Sequence, residues 1–471
     1  MRKMIGTTAF AALLAAQTLA AQAPTLSPNV RQYVAVDAPT VALRNVKLVD
    51  GTGTPARDAQ TIVIGNGKIV AVGPTASVRV PAGALVLDLA GHTVMPGIIG
   101  LHNHMYYNSR PQLQSYPLLF LGTGITTIRT TGSYDSYQEL NLKRNIDAGR
   151  IPGPTIFVTG PYLQGPGPGP SAMHPLSGPE DARRMVRYWA DEGVTWFKAY
   201  TQISRAELGA AIEEAHKHGI KVTAHLCSVG FREAVGLGID NLEHGLLTNT
   251  EYWKDKRPDQ CPQVGDSAVY YNLDLESPEV QQTFRDMVKN NVALTSTLAV
   301  YEMSTPSRVP FDQRVLDALY PDSREVVARW YENAKTRGDR DRAGIEVFKK
   351  HLAYERAFVE AGGLLAAGSD PCCTTSIAGF ADQRNFELLV EAGFRPEEAV
   401  KVMTANGAKV LGILDRVGTI ERGKDADLIV LRGDITRQPG DIRNTVTVFR
   451  HGVGYDSKKL IDAIKGRIGI I

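Results

Sequence analysis

Two histidines separated by one residue close an apolar run, Ile98-Ile99-Gly100-Leu101-His102-Asn103-His104. The two-residue period of a β-strand puts both imidazoles on one face, where they can chelate a single metal ion. His225 and His244 also end apolar, strand-like runs. Lys198 sits inside Trp196-Phe197-Lys198-Ala199-Tyr200, and Asp370 closes Ala366-Ala367-Gly368-Ser369-Asp370. Imidazole and carboxylate ligands suit Zn²⁺ or a similar divalent ion, and a catalytic site keeps one position for water. A lysine in such company is odd, because an ammonium repels a cation. Either it forms a buried ion pair, or its amine has reacted with CO2 to give a carbamate whose two oxygens can bridge two ions. Desolvation near cations lowers the pKa of a lysine and so supplies the neutral amine that this reaction needs.

These six side chains have to be gathered by the elements that carry them. Strand-like runs occur at 125–130, 155–159, 194–200, 221–226, 241–244, 292–297 and 364–369, and the run ending in His102 and His104 makes eight. Helical periodicity lies between them, as at 205–218 and 231–237. Strands alternating with helices from 98 to 414 predict an α/β fold, a (β/α)8 TIM barrel, in which functional residues stand at the C-terminal ends of strands. The spacing agrees. Lys198 to His225 is 27 residues and His225 to His244 is 19, each about one βα unit. Both termini read differently, as short strands with tight turns at 41–49, 61–64, 68–72 and 85–89, then at 418–431 and 446–451. Residues 33–97 and 415–471 are therefore expected to form a small β-sandwich domain, with 98–414 as the barrel. The stretch 246–290 reads as a loop with helices after the sixth strand.

At 471 residues, 43% hydrophobic and 22% charged, the chain can bury a large core. A net charge of +2 leaves no basic footprint for nucleic acid. Residues 1–23 combine a basic start, an Ala/Leu-rich run and small residues at a cleavage point, as a signal peptide does; a periplasmic or secreted protein is expected, with no membrane attachment after cleavage. An oxidising compartment would permit disulfides among Cys227, Cys261, Cys372 and Cys373, and Cys261 with Cys372 or Cys373 is the pairing expected if one forms. A homo-oligomer is compatible with the sequence.

Taken jointly, His102-Asn103-His104, Trp196-Phe197-Lys198-Ala199-Tyr200, Thr223-Ala224-His225, Asn241-Leu242-Glu243-His244-Gly245, Gly368-Ser369-Asp370 and the tail Gly418-Thr419-Ile420-Glu421-Arg422-Gly423-Lys424-Asp425-Ala426-Asp427-Leu428 resemble the amidohydrolase superfamily. The likeness is to its imidazolonepropionase-like and Xaa-Pro dipeptidase (carboxypeptidase) branch, of binuclear metal type. The resemblance implies two divalent ions, zinc being the first choice. His102, His104 and Asp370 would hold the more buried ion, His225 and His244 the other, and a carbamate on Lys198 would bridge them. One departure is Gly100, where the family usually has aspartate.

The chemistry that follows is hydrolysis of a C–N bond, as in a dipeptide or an N-acyl amino acid. A metal-bridging hydroxide attacks, and Asp370 acts as general acid/base, returning the proton to the leaving amine. His174, in the Gly/Pro-rich loop after the third strand, is placed to donate to an oxyanion, with a plain surface histidine as the alternative. Tyr200 and Arg129 are candidates for a substrate carboxylate, against packing or ion-pair roles. His92, His216, His218, His351 and His451 read as structural. Alternatives are a mononuclear deaminase or cyclic-amide hydrolase, and a binding protein that kept the fold without catalysis.

Overall fold

The computed structural model describes residues 25–262 and 268–469. The expected signal peptide, 1–23, lies outside the described residues. Eight strands run parallel in chain order: β1 (Ile98–Asn103), β2 (Ile125–Thr130), β3 in two segments (Thr155–Phe157 and Thr159–Leu163), β4 (Trp196–Ala199), β5 (Lys221–Ala224), β6 (Asn241–Glu243), β7 (Ala293–Ser296) and β8 (Leu365–Ala367). Helices separate them, as the alternating pattern requires. Two ladders are formed, one of β1, β2 and the first segment of β3, the other from the second segment of β3 through β8. Where β8 meets β1, the bonding comes just beyond the strand. The Ser369 and Asp370 amides both donate to the His102 carbonyl, at 3.1 and 2.9 Å. Glycine is required there, because a Cβ on Gly368 would stand 2.2 Å from the His102 nitrogen.

The helix Arg205–Lys217 shows how the local sequence builds these units. Ser204 and Glu207 form a capping box at its start, and Leu208, Ala211, Ile212 and Ala215 recur on the face it buries. Residues 246–290 carry two short helical turns, a helix at Ala268–Tyr271 and a longer one at Pro278–Lys289, in keeping with the expected elaboration after β6.

The two ends of the chain share one sheet of nine strands. Leu428–Arg432 pairs antiparallel with His92–Pro96, which pairs in turn with Thr40–Leu48. Val41, Leu43, Ile62, Ile64, Val94, Leu428, Val430 and Phe449 make its core. The hairpin between Arg57–Gly65 and Lys68–Pro74 turns at Asn66 and Gly67, whose φ angles of 48° and 78° are those of a type I′ turn. The strand His92–Pro96, within the terminal segment 33–97, is an addition to the strands expected from the sequence. Gly97 marks its break from β1, since a Cβ there would collide with Thr126. No helix among the described residues is long and apolar enough to cross a membrane.

Candidate metal centre at the strand ends

Five of the six predicted ligands meet directly. His102 ends β1 fully buried, and His104 follows it. His104 Nε2 lies 3.1 Å from Asp370 Oδ1, His102 Nε2 lies 3.6 Å from the same oxygen, and His244 Nε2 is 3.9 Å from Asp370 Oδ2. Lys198 on β4 brings Nζ to 3.1 Å from His102 Nε2. The donor atoms of His102, His104 and Asp370 all fall within 4.8 Å of one another. The sixth residue, His225, follows β5 with its ring 4.4 Å from that of His244. His244 and Asp370 both take left-handed backbone, φ 68° and 47°, which costs a non-glycine residue about 1–3 kcal/mol and persists where the surroundings hold it.

A carboxylate that the sequence reading did not assign supports this cluster. Glu243 on β6 is wholly buried. Its Oε2 lies 2.8 Å from His102 Nδ1, while Oε1 accepts from Arg129 Nη2 at 2.5 Å and from the Thr223 hydroxyl. A histidine that gives its Nδ1 proton to a carboxylate keeps the Nε2 lone pair for a metal. The signal was present in the chain: a glutamate inside an apolar strand, next to His244. His244 is oriented in the same way, with Nδ1 2.7 Å from Thr297 Oγ1.

Arg129 is here a correction. It is completely buried, and Nε donates to the Leu101 carbonyl, Nη1 to Asn241 and Nη2 to Glu243, with the guanidinium 4.4 Å from the Trp196 ring centroid. The cation balances Glu243, and its complete burial keeps it away from a substrate carboxylate.

Burial sets the protonation states. It holds His102 and His244 well below the ordinary imidazole value, aided by nearby Lys198, and brings His225 down to about 3. His104 is also lowered by burial, against the pull of Asp370. Lys198 falls to about 8 for the same reason. Burial acts the other way on Asp370, but His102, His104 and Lys198 outweigh it and hold the carboxyl well below its usual range. Neutral imidazoles around an ionised carboxylate are the states a cation requires.

The amidohydrolase family profile matches residues 93–454. This chain belongs to the amidohydrolase family. Like its relatives, this amidohydrolase is a hydrolase of carbon–nitrogen bonds. It is 22% identical over 409 residues to an enamidase of Eubacterium barkeri, covering 83% of this chain and 86% of that one. Among solved structures, a candidate prolidase of Bifidobacterium longum is 28% identical with a TM-score of 0.65, over 90% of this chain and 98% of that one. A Xaa-Pro dipeptidase with bound methionine superposes with a TM-score of 0.66 at 20% identity, over 88% of this chain and all of that one (100%).

Membership implies a divalent metal ion, and the residues of this amidohydrolase fit one. His244 Nε2 is buried with no hydrogen-bond partner among the described residues, as expected of an atom that donates to a metal. His102, His104 and Asp370 bring two imidazoles and a carboxylate together, a donor set that suits a divalent ion.

The rim is aromatic, which the sequence reading saw only at Tyr200. The Tyr106 ring stacks on His104 at 4.6 Å, its hydroxyl lies 3.0 Å from that of Tyr162, and Tyr200 packs 5.0 Å from His225. Tyr301 stands 5.4 Å from His244. His174 is a second correction. Its side chain is 60% exposed and its Nε2 lies 3.4 Å from Asp181, at the start of the helix Pro179–Asp191, so the loop turns it to solvent rather than to the ligands. The cysteines are a third. Cys261 pairs with Cys227, two residues past His225, because the loop after β6 returns across the end of β5, and Cys372, after β8, pairs with its neighbour Cys373.

Proposed function

We propose that this amidohydrolase cleaves the amide or peptide bond of a small substrate, such as a dipeptide or an N-acyl amino acid, after export from the cytoplasm. The observation that carries the reading is the convergence of three imidazoles on the two oxygens of Asp370, at 3.1 to 3.9 Å, at the ends of three different strands. His102, His104 and Asp370 would hold one divalent ion and His225 and His244 a second, with Lys198 between them as a carbamate. When bound, such ions lower the pKa of water and polarise a carbonyl.

The rest falls to the chain. Asp370, ionised and in touch with His102, His104 and His244, accepts a proton from the attacking water. It then returns that proton to the departing nitrogen as the C–N bond breaks, which releases a neutral amine rather than a strongly basic amide anion and leaves a carboxylic acid that gives its own proton to solvent. Glu243 and Thr297 hold the imidazoles in the donating tautomer. Tyr106, Tyr162 and Tyr200 give the substrate an apolar wall with hydroxyls.

A rival reading keeps one ion on His102, His104 and Asp370, the three whose donor atoms are grouped most closely, as a deaminase would. Metal analysis and product analysis decide. Two ions per chain, lost in part in Lys198→Ala, with an amine and a carboxylate as products, are expected. One ion per chain whatever residue 198 is, or ammonia from an exocyclic amine, would refute the proposal.

A further inference from the structure

Gly100 lies in β1, two residues before His102. Its backbone is not in the left-handed region, so the conformation itself would admit a side chain. What fills the space is two neighbours. A Cβ on Gly100 would stand 2.0 Å from Asn103 Nδ2 and 3.3 Å from Asp382 Oδ1.

Asp382 comes from a helix that follows β8, α1 (Phe380–Glu391), and is 1% exposed. Its Oδ2 is occupied, accepting from the Gly379 amide at 3.0 Å, which caps the helix, and from the Ser369 hydroxyl at 2.8 Å. Ser369 Oγ also lies 3.1 Å from Asn103 Oδ1. The cap accounts for one oxygen only. The other lies against Gly100, and neither it nor Asn103 Nδ2 has a hydrogen-bond partner among the described residues. Ser369 immediately precedes Asp370, and Asn103 lies between His102 and His104. One carboxylate thus braces both strands that carry the closest-grouped ligands.

We propose that Asp382 is a positioning residue that brings a carboxylate from α1 against Gly100, and that through Ser369 and Asn103 it sets the spacing of Asp370 from His102 and His104. The proposal rests on the metal-site reading above. Buried groups that orient metal ligands typically control metal affinity by ten- to a hundredfold. A group that only caps a helix would change stability and leave affinity alone.

The test measures Zn²⁺ affinity by competition with a chromophoric chelator, and the melting temperature of the metal-free protein. The proteins are the wild type, Asp382→Ala, Gly100→Asp and the double variant. Asp382→Ala should weaken Zn²⁺ binding by ten- to a hundredfold. Gly100→Asp alone should also weaken it, because its Cβ displaces the Asn103 amide and two carboxyls then share one dry space. Together the substitutions should return affinity to within about threefold of wild type, since side chains that touch one another in a single buried network are coupled rather than additive. Asp382→Ala binding as tightly as wild type, or a double variant no tighter than Asp382→Ala, would overturn the proposal. Should the wild type take up no Zn²⁺, the metal reading fails by itself. The melting temperature then decides on Asp382: the double variant must recover what Asp382→Ala loses, and no recovery overturns the assignment.

Discussion

Replacing Glu243 with glutamine keeps its size and removes one acceptor where three donors converge. In the native protein, the carboxylate faces His102 Nδ1 at 2.8 Å, Arg129 Nη2 at 2.5 Å and the Thr223 hydroxyl. An amide has one oxygen. If that oxygen stays with Arg129 and Thr223, the NH2 group meets His102 Nδ1, and the imidazole must move its proton to Nε2, the atom facing Asp370 and Lys198. If the amide turns over, its NH2 group meets the guanidinium, donor against donor. In either orientation the wholly buried Arg129 cation loses its anion, at a cost on the order of 3–5 kcal/mol, the usual result of breaking a buried pair. The first orientation also costs metal affinity, typically ten- to a hundredfold, or about 1.4–2.7 kcal/mol, and avoids the clash of donors. Glu243→Gln should therefore keep the first orientation, lose on the order of 3–5 kcal/mol of stability, and bind Zn²⁺ ten to a hundred times more weakly. Competition titration at pH 7 and thermal unfolding of the metal-free protein separate the two effects. A folded Glu243→Gln protein with wild-type Zn²⁺ affinity would refute the argument that Glu243 sets the His102 tautomer.

Asp370→Asn should cut turnover by at least a hundredfold through loss of the proton carrier, with KM for an amide substrate moving much less; steady-state kinetics at saturating metal read both. Glu139, at the start of the helix Ser136–Asp147, has its carboxyl lifted by burial from 4.5 to about 8. Between those pH values the native protein binds the proton and the unfolded chain does not. Wild-type stability should therefore fall as pH rises through the window, and Glu139→Gln should gain on it by up to about 5 kcal/mol by pH 8.5. A stability difference that stays flat from pH 5 to 8.5 would be the wrong outcome. Cys227 and Cys261 are 34 residues apart, so opening their bridge with Cys227→Ser and Cys261→Ser should cost about 4 kcal/mol, measured by denaturant unfolding without reductant.

Much of the fold was readable because its evidence is local. Short strand-like runs alternating with helical periodicity mark β2, β5 and the other barrel strands, and Asn66-Gly67 marks a hairpin. Strand ends ran long in the reading, 194–200 against Trp196–Ala199 and 364–369 against Leu365–Ala367, because the apolar pattern continues where pairing stops. The residues beyond those ends, Tyr200, Ser369 and Asp370, are the ones freed to face the site. Arg129 misled for a related reason. A charged residue near a strand end can face solvent, substrate or a buried partner, and the partner here, Glu243, is 114 residues away.

The sequence by itself determined the ligand types and their order along the chain, since His102 and His104 share a face through the strand period alone, and each of the others closes its own apolar run. Only the tertiary structure decided what surrounds them. Glu243 reaches His102 across 141 residues and Ser369 reaches Asn103 across 266, so no local pattern could announce either contact. The same holds for Gly100. Its missing side chain is a fact of one position, but the carboxylate that stands against it arrives on a helix from the far end of the barrel, and a buried charge finds its partner through space, not along the chain.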